Sequence, residues 1–323
     1  MGIAEIEKEE NKKKWAIACS TSDIPIFMQA AWLNAVCAHP DNWQVVYECD
    51  SNNFIIAALI IHRENKNFYT RLAAPHLTPH AGIWFKKTHF KHLYESYYYE
   101  KKIIAALIER IPKATFAEIR LMPQNNDAQP FFWAGYSLGV RYTYQLEIEK
   151  NREFLLKEMN ANTRRNIKKG EAIYNVCTDF SLDVFTNLLD ASFKRQDKQS
   201  AVPKNVWQQL EQNEEIRSQR LLLFASDKTT RQAEATVYII FDNQTAYYVA
   251  GGSTAEGRKN GALFFLLWQA ILKVPTKLMK FDFEGSMLPT IEPVFRGFGA
   301  EQTPYIVVQK TKNPFWRLLE SIK

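Results

Sequence analysis

Two α/β lobes in tandem, each built on a mixed sheet, are the fold class that this sequence predicts. Three observations predict it. The chain has 323 residues, too many for one ordinary core and close to two of about 150 each. The order of predicted strands and helices in 1–150 returns in 151–323. An aromatic-x-Gly-aromatic turn precedes the closing strand of each half, as Trp133-Ala134-Gly135-Tyr136 and Phe295-Arg296-Gly297-Phe298, with the glycines 162 residues apart. The expected division is therefore 1–150 for the first lobe and 151–323 for the second, which includes the linking basic helix.

The elements follow in order. Asp23-Ile24-Pro25 predicts a helix start, because Asp caps a helix and Pro fits its first turn. Residues 43–49 and 54–62 are strands joined by the turn Asp50-Ser51-Asn52-Asn53. A third strand over 67–73, a helix over 97–111, a strand over 116–121, a short helix near 130–134 and a closing strand over 142–148 complete the first half. Residues 151–174 read as one long amphipathic helix with Phe154, Leu155, Met159 and Ile167 as its stripe. In the second half, Leu182, Phe185, Leu189 and Phe193 mark a helix. Strands over 221–225, 234–241 and 245–250, a helix over 261–274, and strands over 280–283 and 305–309 follow. Residues 5–14, mostly charged and without an apolar stripe, read as disordered.

Composition narrows the function. A hydrophobic fraction of 46% and a charged fraction of 24% are those of a folded globular protein. The net charge of +6 suits an anionic ligand, although solubility alone accounts for it equally. Cys19, Cys37, Cys49 and Cys177 form no CxxC pair, so reduced thiols are expected, with neither a disulfide framework nor a metal centre. All six histidines lie in the first third, so chemistry in the second half must do without imidazole. No GxSxG elbow, HExxH motif or RNA-binding aromatic pattern occurs, which argues against sequence-specific nucleic-acid recognition. The longest apolar run, 262–272, is broken by Gln269 and falls short of the ~18 residues of a membrane span. No secretory leader opens the chain and Ile6 stands where a myristoylation signal has Ser or Thr, so a cytoplasmic location is expected.

Four features carry candidate chemistry. The strand through Tyr247 runs into Gly251-Gly252 and is followed by Arg258-Lys259-Asn260-Gly261 at a predicted helix start. Backbone N–H groups there, with two cations, suit a pyrophosphate; the alternative is a glycine turn and a solvated basic loop. Asp282 and Glu284 stand at i and i+2 of a predicted strand and so share a face. Either would accept a proton from an attacking amine; the alternative is a structural ion pair with Arg296. Arg164, Arg165, Lys168 and Lys169 put four cations on the linking helix, for phosphate or simply for solvent. Arg195 and Gln196, just past the first helix of the second half, line the acceptor side of a cleft or form a polar loop.

At these residues the chain resembles the Fem-type aminoacyltransferase-like proteins, tandem GNAT folds of the acetyltransferase superfamily. Asn162-Thr163-Arg164-Arg165-Asn166-Ile167-Lys168-Lys169 is similar to that group's basic inter-lobe stretch. Phe193-Lys194-Arg195-Gln196, the Gly251-Gly252 pair, and Phe281-Asp282-Phe283-Glu284-Gly285-Ser286 with Phe298-Gly299 are similar to its second-lobe motifs. The resemblance covers nearly the whole chain. It implies two GNAT-like lobes and acyl transfer to an amine by direct attack, with no permanently bound cofactor. By analogy the Gly261 helix start would hold the pyrophosphate of an acyl-CoA cosubstrate. Arg258 and Gly261 match the acetyltransferase pattern Gln/Arg-x-x-Gly-x-Gly/Ala, whereas Leu263 departs from its last position.

The leading expectation is an N-acyltransferase using an acyl-CoA-type donor and a small-molecule amine. Asp282 or Glu284 would act as base, and Gly251, Gly252, Arg258, Lys259 and Gly261 would bind the donor. Arg164, Arg165, Lys168, Arg195 and Gln196 would serve the acceptor or phosphates. The alternatives are a Fem-type enzyme taking its acyl group from aminoacyl-tRNA to a cell-wall-precursor amine, and a non-catalytic binding protein that keeps the fold.

Overall fold

The computed structural model describes residues 3–66, 69–125, 127–149, 151–285 and 287–311. The first elements in chain order are α1 (Ile3–Thr21), α2 (Ala30–Val36), β1 (Trp43–Cys49), β2 (Ile55–Lys66), β3 (Tyr69–Leu72) and β4 (Ile83–Phe85). They are followed by α3 (Leu93–Glu109), β5 (Phe116–Arg120), α4 (Gln129–Trp133), β6 (Ser137–Glu147), α5 (Arg152–Glu158) and α6 (Ala161–Ile173). Next come β7 (Tyr174–Cys177), α7 (Leu182–Lys194), α8 (Lys204–Gln212), α9 (Glu214–Ser218), β8 (Arg220–Asp227) and β9 (Ala233–Phe241). The chain ends with β10 (Thr245–Ser253), α10 (Ala255–Lys259), α11 (Ala262–Lys273), β11 (Lys280–Asp282), α12 (Glu292–Gly297) and β12 (Glu301–Thr311).

The chain falls into two compact units, Met1–Arg141 with Pro304–Lys323, and Tyr142–Thr303. The first unit pairs β1, β2 and β3 antiparallel, β3 with β5 parallel, and β5 with β12 antiparallel; β4 lies against β2. The second pairs β7, β8, β9 and β10 antiparallel, β10 with β11 parallel, and β11 with β6 antiparallel. The shared plan is thus a three-strand meander, a helix, a parallel strand, a short helix and a closing strand. The closing strands are exchanged: β12 closes the first unit and β6 the second. The division therefore crosses the chain at Arg141 and again at Thr303 rather than once near 150. Sequence period reveals a strand but not its neighbour, so this exchange is invisible before folding.

Each unit has its own core. In the first, Leu59, Ile61, Ala117, Ile119 and Val308 of the sheet meet Ile103, Ile104 and Leu107 of α3 and Phe131 of α4. In the second, Val237, Ile239 and Phe281 meet Phe265, Leu266 and Trp268 of α11, and Phe295 and Phe298 close the far side. Burying each such side chain contributes about 1.5–3 kcal/mol before conformational entropy is counted.

Several local expectations change. Residues 5–14 are helical within α1, which anchors through Trp15: its indole N–H donates to the Met28 carbonyl at 2.8 Å. Lys12 is buried too, its ammonium donating to the Pro40 carbonyl at 2.8 Å and lying 4.9 Å from the Trp43 ring. An aliphatic lysine stem serves as core, a role that residue classes hide. The helix expected from Asp23 begins instead at Ala30. The single helix over 151–174 is two helices, because Met159 and Asn160 are extended and the Asn160 side chain accepts from Thr163 N at 2.8 Å as a new N-cap. Gly297 lies inside α12; the true counterpart of Gly135 is Gly299, both having φ of +82° just past their helices. The expected strand start at Asn67 and the motif residue Ser286 lie outside the described residues.

Candidate functional site

The second unit contains an opening in its sheet. β10 and β11 run parallel only over Thr245–Tyr247 against Lys280–Asp282. Beyond that, β10 shifts register between Tyr248 and Ala250 and continues to Ser253 along β9. The other strand turns off: Glu284 has φ +63° and Gly285 φ +51°, and a Cβ on Gly285 would meet the Tyr142 carbonyl oxygen at 2.1 Å. Only glycine fits that turn. The two parallel strands therefore part at their carboxyl ends, the end at which α/β sheets receive ligands.

The carboxylates do not share a strand face. Asp282 is fully buried and is surrounded by three donors. The Thr143 hydroxyl donates to it, the Gln145 amide donates at 2.8 Å and the Glu284 N–H at 2.8 Å. Burial pushes its carboxyl up, and those hydrogen bonds oppose the shift. Glu284 sits past the strand end in the left-handed turn, half-buried at the opening. The pairing expected for Arg296 goes elsewhere: its guanidinium binds Glu292 at 2.8 Å.

The glycines are packing positions. Gly251 and Gly252 lie inside β10, paired with Val237 and Thr236, rather than in a turn after it. A Cβ on Gly252 would meet the Leu188 carbonyl at 2.3 Å, so α7 crosses the strand there; one on Gly251 would meet the Tyr248 hydroxyl at 2.2 Å. Gly261 has φ +75° and would place a Cβ 2.4 Å from the Asn166 carbonyl, so α6 covers that helix start. The helix that directly follows β10 is α10, capped by the Thr254 hydroxyl accepting from Gly257 N at 2.9 Å.

The cations separate into structural and available groups. The Arg164 guanidinium donates to the carbonyls of Leu156 at 3.3 Å, Lys157 at 3.2 Å and Met159, and so closes the end of α5. Lys169 donates to the Lys259 carbonyl at 2.9 Å, tying α6 to α10. Arg165 donates to the Asn162 side chain at 2.8 Å, while Lys168 and Lys259 point to solvent. Gln196 donates back to the Ser192 carbonyl at 3.1 Å.

Arg195 is different. Its guanidinium donates to the Ser253 carbonyl and, at 3.0 Å, to the Ser192 hydroxyl, which in turn accepts from Ser253 N at 2.9 Å. This clamps it to the last residue of β10. Burial, then the like charge of Arg258, lowers its pKa. Among the described residues neither Arg195 nor Arg258 has an ion-pair partner.

Sequence reasoning missed Ser192 and Ser253, which fix Arg195, and the buried aromatic cluster just past β11. Phe283 stacks on Phe295 at 5.3 Å, and Tyr248 meets Phe295 edge-on at 6.1 Å. Tyr144 donates to Glu292 at 2.8 Å and accepts from Gln302 at 2.7 Å. The Ser192–Arg195 spacing on one helix face was the available signal; the other contacts join distant segments.

No family model matches the chain, and no curated protein matches it. Solved structures do. The crystal structure of FemX is 12% identical with a TM-score of 0.67, covering 97% of this chain and 98% of that one. The C-terminal domain of a putative lysylphosphatidylglycerol synthetase from Agrobacterium fabrum is 12% identical with a TM-score of 0.56, covering 98% and 96%. A tandem GNAT protein from the clavulanic acid biosynthesis pathway is 12% identical with a TM-score of 0.50, covering 95% and 96%. The fold is a Fem-like tandem GNAT fold. Its GNAT plan appears in each unit, and the parting of β10 and β11 belongs to the second. Among the described residues no helix is long and apolar enough to cross a membrane.

Proposed function

We propose that the chain is an N-acyltransferase that moves an acyl group from an acyl-CoA thioester to an amine at the opening between β10 and β11. One observation carries this reading: two guanidinium groups, Arg195 held on Ser253 and Arg258 in the helix that follows β10, stand within electrostatic reach of each other with no ion-pair partner among the described residues. Like charges held together in this way favour an anion between them, and guanidinium forks match phosphate oxygens. Lys259 stands beside them for a further phosphate. The acyl end of the donor would then extend along β10 into the opening.

In the reaction the amine lone pair would attack the thioester carbonyl carbon. The C–S bond would break, and the thiolate would leave with the electron pair and take up a proton. The proton lost by the amine would go to Glu284 or to water. Asp282 is the positioning residue, because its carboxylate holds the Glu284 N–H and its own lone pairs are occupied. Glu284→Gln is expected to lower kcat by about 10²-fold at unchanged KM, the scale of a general base. Arg195→Ala and Arg258→Ala are expected to raise the donor KM about tenfold each. Steady-state kinetics with acetyl-CoA and a panel of amines would measure both. Unchanged kinetics in all three variants would sink the reading.

A second reading is aminoacyl transfer from tRNA to a cell-wall-precursor amine. The end-to-end likeness to FemX favours it, as do the cations Arg165, Lys168 and Lys259 where α6 runs beside α10. Product formation that requires aminoacyl-tRNA and ignores acyl-CoA would select it. Failure of either donor to bind would favour a non-catalytic binding protein.

A further inference from the structure

The first unit holds a cavity made by unequal strand lengths. β1 begins at Trp43, opposite His62, whereas β2 runs on through 63–66 and pairs there with β3 alone. Where β1 would have continued, the chain makes the tight turn Pro40–Asn42. α1 passes close enough there for the Lys8 ammonium to donate to the Asp41 carbonyl. The space left has a volume of about 290 Å³, near the lower end of small-ligand sites and room for roughly ten waters. Trp43, Ile61 and Pro112 give it an apolar floor, and every residue lining it belongs to the first unit.

The polar lining is rich in donors. Arg63 and Asn65 share one face of β2, and the Arg63 Nε donates to the Asn65 side chain at 3.1 Å, which fixes the guanidinium fork. Among the described residues neither Lys8 nor Arg63 has an ion-pair partner. Of the carboxylates near Lys8, Glu9 binds Lys12 at 3.1 Å, and Asp41 lies out in solvent, 68% exposed, 3.3 Å from the His39 ring nitrogen. Burial, then the like charge of Lys12, pulls the Lys8 ammonium below its ordinary value; Arg63 adds to this, while Asp41 and Glu9 oppose it. Asn42 and Gln44 line the same space, and neither side-chain amide has a hydrogen-bond partner among the described residues. Two cations without a counter-charge at a concave surface favour an oxyanion, and free amides suit hydroxyl groups.

We propose that this cavity binds a small hydroxylated anion, with its phosphate or carboxylate between Lys8 and Arg63 and its hydroxyls on Asn42 and Gln44. The site is separate from the opening between β10 and β11 and does not depend on the acyltransferase reading.

The test is thermal unfolding of the full chain against rising glycerol phosphate and, separately, rising glycerate, at constant ionic strength. At least one of the two is expected to raise the wild-type Tm saturably, and the stronger response tells phosphate from carboxylate. A Lys8→Gln, Arg63→Gln double variant is expected to need about tenfold more ligand or more for the same shift. Arg63→Gln alone, at an exposed position, gives the same comparison should the double variant fail to fold. The Arg195→Ala, Arg258→Ala variant should respond like the wild type. No saturable shift with either anion overturns the proposal, as does a response unchanged by Arg63→Gln and by the double variant. A response lost only with Arg195→Ala, Arg258→Ala places the anion in the second unit and overturns it too.

Discussion

At Asp282 and His80, burial decides what an ionisable side chain does. Both residue types suggest acid–base chemistry, and neither is placed for it. Asp282 accepts three hydrogen bonds within the second unit. Asp282→Ala would leave those donors unmatched and is expected to lower stability by about 2–4 kcal/mol in urea unfolding. His80 lies edge-on between Phe27 and Tyr305 in the first unit. Burial pulls its imidazole down to about 4 from 6.5. The folded state thus refuses a proton that the unfolded chain takes up, so stability is full above pH 6.5 and is lost as pH falls towards 4. The loss is expected to reach about 3 kcal/mol at pH 4. His80→Gln should flatten that part of a urea-midpoint profile against pH; an unchanged slope would count against the assignment. The carboxylate pair was legible in the sequence as chemistry, but its depth was not. Depth depends on Thr143 and Gln145, more than a hundred residues away.

At the scale of elements, most strands and the long helices α3, α7 and α11 follow from apolar period. What period misses is close approach. Gly252 read as the start of a ligand turn, whereas it lets α7 cross β10. Gly252→Ala is expected to destabilise by about 2 kcal/mol or more, since Leu188 backbone must move. Gly139→Ala, whose Cβ would meet only the Val307 carbonyl at 3.8 Å, serves as the control and is expected to stay within about 0.5 kcal/mol. Thermal unfolding of the two variants compares them directly. Arg164 shows the same limit: four cations in six residues were legible, but that the first of them closes α5 was not. Arg195 gained importance because Ser192 and Ser253 hold it, a relation between two elements rather than a motif in one.

At the scale of the molecule, duplication was legible in the repeated order of elements, whereas the glycine pairing fell two residues short, on Gly297 instead of Gly299. The exchange of closing strands was not legible, because β6 and β12 each look like the natural end of their own half. It has a consequence for fragments. Tyr142–Thr303 is one continuous segment with its sheet complete, and should unfold cooperatively when expressed alone. Residues 1–141 lack β12, which pairs with β5 over Phe116–Arg120, and should stay soluble and folded only when that strand is supplied. In the second unit, the parted strands and the two guanidinium groups are proposed to receive an anionic acyl donor. Isothermal titration of acetyl-CoA into the wild type and into an Arg195→Ala, Arg258→Ala double variant tests it most directly. Saturable binding by the wild type, weakened about tenfold or more in the double variant, is the predicted result. Equal affinity in the two proteins, or no binding by the wild type, would contradict it.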